Sequence, residues 1–297
     1  MGYGVHRHVL GAADGSGGAV AELCADLLAW QEALPLRTVF THLTAAQVLG
    51  LWLPPVPEGA PTFASVPQGV QPPRRRELRV SRISASFRPV VVRGVRLAPP
   101  AEVLLACARD LGLLDLTVLL DCALRRRLVT AGEVAEVAAH GRPGSPALRE
   151  ALAHADPRSE SPWETVLRVF HVLCEVPVVP QHEVYDEHGL FVARGDLWLE
   201  GTRTLHEYDG AVHRDRRTHI ADLARERALA NAGWTRRGYT SGDLLGRPGM
   251  MLQEADAAIG RPHDPTRLRA WREVLGASLF SREGRARLSA RWSSRPR

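Results

Sequence analysis

The chain has 297 residues, 45% of them hydrophobic, and a formal net charge of +5 at pH 7. That length accommodates two domains, and no apolar run approaches the ~20 residues that cross a bilayer. Every one of the 38 basic residues is arginine, so chemistry that needs a lysine is excluded.

Residues 1–36 begin with a Gly-rich stretch, then Val20 to Trp30 carries Val20, Leu23, Cys24, Leu27 and Leu28 at helical spacing. Residues 37–153 predict a mixed α/β domain. Thr44 to Leu51 reads as a helix capped by Thr44, and the proline-rich 54–73 stretch as mostly loop. Leu78 to Ile83 alternates as a strand, followed by short strands at Val90–Val92 and Val95–Leu97. Helices are expected from Pro99 to Leu111, from Leu113 to Arg127, and from Thr130 to Ala139. The last of these carries a Thr130/Glu133 capping box.

A boundary falls near residues 154–160. Ser161-Pro162-Trp163-Glu164 then opens a helix with a cap, a first-turn proline and a glutamate three residues after the cap. Strands are expected at 182–186, 190–199 and 204–209, a charged helix from Thr218 to Ala232, and a last strand from Thr235 to Tyr239. The order is α-β-β-β-α-β, over residues 158–250. Residues 251–297 form an expected basic tail, with a helix capped by Asp264 and bearing Leu268, Trp271, Leu275 and Leu279 on one face.

The strands at 190–199 and 204–209 bring acids together. Asp196 lies on the first, and Glu207 and Asp209, two apart on the next, are expected on one sheet face. Carboxylates that converge repel one another unless a cation sits between them, and hard oxygen donors suit Mg²⁺ or Mn²⁺. No Walker loop, GxSxG elbow or HExxH motif competes with this cluster. Arginine is also clustered: eight fall between Arg74 and Arg96 against one Glu, and ten in residues 256–297 against four acids. Such clusters match the electrostatic footprint of a nucleic-acid binder and equally a solubilising surface.

The ordered set Ser161-Pro162-Trp163-Glu164, Arg194-Gly195-Asp196, Glu207-Tyr208-Asp209-Gly210 with His213, then Asp222, Arg225, Arg227 and Gly233-Trp234 resembles the PD-(D/E)XK restriction-endonuclease-like fold. Within it, the set resembles the actinobacterial branch related to very-short-patch-repair endonucleases. The TAAQVLGL and PPAEVLLACARDLG stretches resemble the antitoxin region of AbiEi-type proteins of type IV toxin–antitoxin systems. The resemblance implies a metal-dependent DNA endonuclease in which Asp196 and Glu207 hold Mg²⁺ or Mn²⁺. Asp209 stands where the family has lysine and would add a ligand or accept a proton; Glu164 and His213 would support the site. Arg214, Arg216 and Arg217 would contact the DNA backbone, with Arg225 or Arg227 on phosphate. The alternative role for Arg225 and Arg227 is an ion pair with Asp222 or Glu226 within their own helix, and for Glu164 simple capping of Ser161.

The alternative is a catalytically inactive DNA-binding regulator, with a cognate toxin as a second partner. The four cysteines form no CxxC pair, and the first residues lack the pattern of a secretory signal. The expected compartment is therefore the cytosol, with no membrane partner.

Overall fold

A computed structural model describes residues 16–83, 87–210 and 216–293, the side chains of 16–17 and 216–221 excepted. The chain divides into two compact units. One runs to Ala155 and takes up the chain again from Gly276; the other is Asp156–Leu275. Both are mixed α/β.

The first unit begins with α1 (Ser16–Ala33), longer than the predicted 20–30, followed by β1 (Val39–Phe40) and α2 (His42–Val48). The cap of α2 is Thr41 rather than Thr44. The Thr44 hydroxyl instead accepts from the Phe63 backbone N–H at 2.9 Å, which ties the helix to the next strand. That strand, β2 (Thr62–Val66), lies inside the stretch expected to be loop; its five residues are mostly buried without alternation, so they gave no period-two signal among the surrounding prolines. Next come β3 (Leu78–Arg82), β4 (Val90–Val92), β5 (Val95–Leu97), α3 (Pro100–Cys107), α4 (Leu113–Arg125), α5 (Ala131–Ala139) and α6 (Ser145–Ala153). Both arms of the Thr130/Glu133 capping box form at α5. The sheet order is β3-β2-β1-β5-β4, with β2·β3 and β1·β5 parallel and the other pairs antiparallel. Cys24 and Leu27 of α1 belong to the same core as Phe40, Leu104 and Leu119, so α1, expected within a separate N-terminal segment 1–36, packs into the first unit; residues 1–15 lie outside the described residues.

The second unit starts with α7 (Pro162–Leu173). Its Ser161 hydroxyl accepts from the Glu164 N–H, and Val166, Leu167, Val169 and Phe170 are fully buried. Then follow β6 (Val178–Tyr185), β7 (Phe191–Leu199), β8 (Thr204–Tyr208), α8 (Arg216–Asn231) and β9 (Thr235–Tyr239). The four strands pair in the order β6-β7-β8-β9, antiparallel except for the parallel β8·β9 pair that α8 bridges. Beyond the sheet lie α9 (Ser241–Gly246), α10 (Pro248–Ala258) and α11 (Leu268–Ala277). Buried Asp256 pairs with Arg261, His263 and Arg267 at 2.7–3.0 Å and fastens the turn between α10 and α11. One sheet face packs Val184, Ala193, Leu205 and Leu229 together. On β8, His206 points the other way and bonds His171 of α7 at 2.8 Å. Burial lowers both histidines, His171 to about 4, so this contact is between neutral imidazoles.

The expected tail at 251–297 is therefore divided. Its final helix, α12 (Arg282–Ser293), was not predicted, because its apolar positions are too sparse to stand out. Leu279, Leu288 and Trp292 nevertheless join the core of the first unit. The anchor is Asp115 of α4, buried, whose carboxylate accepts from the Ser278 hydroxyl at 2.5 Å and from the Leu279 N–H at 3.0 Å. Among the described residues, no helix is long and apolar enough to cross a membrane.

Removing that anchor leaves buried donors without an acceptor. Asp115→Ala is expected to cost about 2–3 kcal/mol, read from the urea midpoint of the full chain. It should also expose the 276–293 stretch to limited proteolysis, and Asp115→Asn should do less of both.

Candidate acidic site on the second sheet

Strand register brings the acids together. Leu197 pairs with His206 and Trp198 with Leu205, so Asp196, within β7, and Glu207, near the end of β8, arrive side by side. The Asp196 carboxylate accepts the Tyr208 N–H at 2.9 Å. Burial raises Asp196 to about 7, and the nearby charges of Glu164 and Glu207 push the same way. Glu164 reaches the site from the first turn of α7. Its carboxylate accepts from the Glu160 N–H at 2.7 Å and from Gln181 Nε2 at 2.9 Å, so it is more than a cap for its own helix. Gln181 sits within β6 with φ 54°, a left-handed conformation costly for any residue but glycine.

Glu207 is 5% exposed. Arg225 of α8 grips it with both terminal nitrogens, at 2.5 and 2.9 Å, and also donates to the Arg194 carbonyl at 2.7 Å. Arg236 of β9 donates its Nε to the same carboxylate at 2.5 Å and an Nη to Asp209. Burial alone would raise Glu207, but the hydrogen bonds from Arg225 and Arg236 outweigh it and hold the carboxyl below its ordinary value. Asp209 lies just past β8, with its N–H on the Tyr239 carbonyl at 2.8 Å. Gly238, paired with Glu207 across the parallel strands, leaves it room: a Cβ there would overlap the Asp209 carboxylate.

Of the residues singled out from sequence, Asp196, Glu207, Asp209, Glu164 and Arg225 gather here. Arg225 pairs across elements, not within its helix. Arg227 is exposed on α8. His213 and Arg214, with the side chains of Arg216 and Arg217, lie outside the described residues. Arg236 was missed. It was read only as part of a last strand, yet the parallel register that α8 imposes sets Arg236 opposite Leu205 and next to Glu207.

The donor set does not fit the expected three-carboxylate Mg²⁺ or Mn²⁺ site as arranged. Both oxygens of Glu207 carry guanidinium hydrogen bonds, and Arg236 also engages Asp209. Among the described residues, no group of three or more His, Cys, Asp or Glu side chains is placed to hold a metal. The positive charge that such acids demand comes from two arginines.

Comparison with protein families, characterised proteins and solved structures yields no match.

Asp196 gives a pH signature. Its folded value of about 7 lies above its ordinary 3.8, so the wild type loses stability as pH rises between these values. Asp196→Asn removes that loss. The variant should equal the wild type near pH 4 and exceed it by roughly 2–4 kcal/mol above pH 7, measured by chemical denaturation across pH.

Proposed function

We propose that residues 156–275 form a restriction-endonuclease-like domain that cleaves DNA. The observation that carries this reading is the guanidinium pair at the acids. Arg236 and Arg225 bring cationic charge to Glu207 and Asp209, where the resembling nucleases have a lysine, beside the buried Asp196. In-line attack on a phosphodiester needs a base for the water and positive charge for the extra charge on phosphorus. Asp196 would take the proton from the attacking water as the P–O bond to the leaving sugar oxygen breaks, and solvent water would protonate that oxygen. Arg225 and Arg236, planar and multiply donating, would turn part of their hydrogen bonding from carboxylate to phosphate as charge develops. Glu164, bonded by Gln181, lies close enough to Asp196 to raise it further. DNA is the inferred substrate, and the cytosol the inferred compartment; the four cysteines are buried free thiols.

A second reading is favoured by one specific observation. Glu207 is so fully engaged by arginine that the domain could bind DNA without cutting it, as a regulator whose own partner is a toxin.

Nicking of supercoiled DNA by the full chain, in Mg²⁺, Mn²⁺ or EDTA, separates the two. The nuclease reading predicts cleavage that falls at least 100-fold in Asp196→Asn, with that variant folded by circular dichroism. Equal DNA binding by both proteins with no cleavage in any condition would reject it and leave the regulator. The EDTA arm asks separately whether the arginines suffice.

A further inference from the structure

The first unit carries a groove remote in sequence from the acids. Its cavity volume is about 1520 Å³, and eight arginines and only two carboxylates line it. Both carboxylates already have partners. Glu102 takes a two-pronged grip from Arg142 at 2.8 and 2.9 Å. Asp110 accepts Trp292 Nε1 at 3.1 Å, pairs with Arg291 at 2.9 Å, and has His42 Nε2 3.3 Å away. His42 is itself held in place, stacked on Phe63 with ring centroids 4.0 Å apart. The positive surplus therefore belongs to the groove's open side, where Arg74, Arg76 and Arg82 are exposed.

Three features narrow the ligand. Clustered, exposed guanidinium groups recognise phosphate. The groove is larger than the 300–1,000 Å³ typical of small-molecule sites, which suits an extended ligand. Part of its lining is apolar and only partly buried, at Val80, Ile83 and Phe87. A duplex offers a groove chiefly phosphates, whereas an unpaired strand offers bases for apolar and aromatic contact as well. We propose that this groove binds single-stranded nucleic acid, with Arg74, Arg76 and Arg82 along its phosphates and its bases against Phe87. The groove lies wholly in the first unit, so this proposal stands or falls independently of the acids around Glu207.

The test is fluorescence anisotropy of labelled oligothymidylate, oligouridylate and a duplex of equal length, titrated with the full chain over a series of salt concentrations. For either single strand, the plot of log affinity against log salt should lose about 2 from its slope in R74A/R76A/R82A, given ~0.7 per neutralised phosphate. Phe87→Ala should weaken single-strand binding roughly tenfold with little change in slope. The control R125A/R282A/R287A removes the same charge from exposed sites outside the groove lining and should leave the slope near wild type. The two single strands distinguish DNA from RNA. Three results would each overturn the proposal: an unchanged slope in the groove variant, an equal loss in the control, or equal competition by polyglutamate. A preference for duplex over both single strands that disappears in R74A/R76A/R82A would overturn the single-strand assignment.

Discussion

A glutamate removed from water, with two guanidinium groups closing on it, organises the second unit. Glu207 lies on β8, Arg225 on α8 and Arg236 on β9, and Arg225 also reaches the Arg194 carbonyl of β7. One carboxylate thus joins the crossover helix to three strands. A buried charge is tolerable only when paired and hydrogen-bonded, and here each oxygen has a donor at 2.9 Å or less. The parallel β8·β9 pairing sets Arg236 beside Glu207, and the absence of a side chain at Gly238 leaves room for the Asp209 carboxylate that the same arginine engages.

The same network sets the electrostatics of its neighbours. Arginine keeps Glu207 ionised, while Asp196, close to Glu164 and Glu207 and bonded to a single backbone N–H, is raised to about 7. Two carboxyl groups on adjacent strands thereby acquire opposite shifts. That separation is how one site can hold a proton acceptor and a fixed anion together. The cost of crowding acids is offset from within the chain, by residues brought in on a helix and a neighbouring strand.

How much of this was legible in the sequence depended on the range of the interaction. Period-two spacing and turn composition located β7 and β8, the Gly233-Trp234 turn located β9, and the Ser161-Pro162 start located α7, because those signals are local. The meeting of Asp196 with Glu207 was also readable, since a hairpin fixes which residues face each other. Arg236 was not, because its place depends on a parallel pairing closed by a sixteen-residue helix, and nothing near Arg236 announces its partner. Thr44 failed as a cap for a similar reason: its hydroxyl was claimed by Phe63, nineteen residues on. The return of α12 to the first unit rests on Asp115 meeting Ser278, a contact 163 residues apart, which no local pattern encodes.

The claim on which the site turns is that arginine, and not a divalent ion, neutralises Glu207 in the resting protein. Titrating Mn²⁺ into the full chain while following the free-ion electron paramagnetic resonance signal tests it directly. The account predicts that wild type and Glu207→Gln deplete the signal equally, with no ion taken up at the acids. A stoichiometric Mn²⁺ bound by wild type and lost in Glu207→Gln would contradict it.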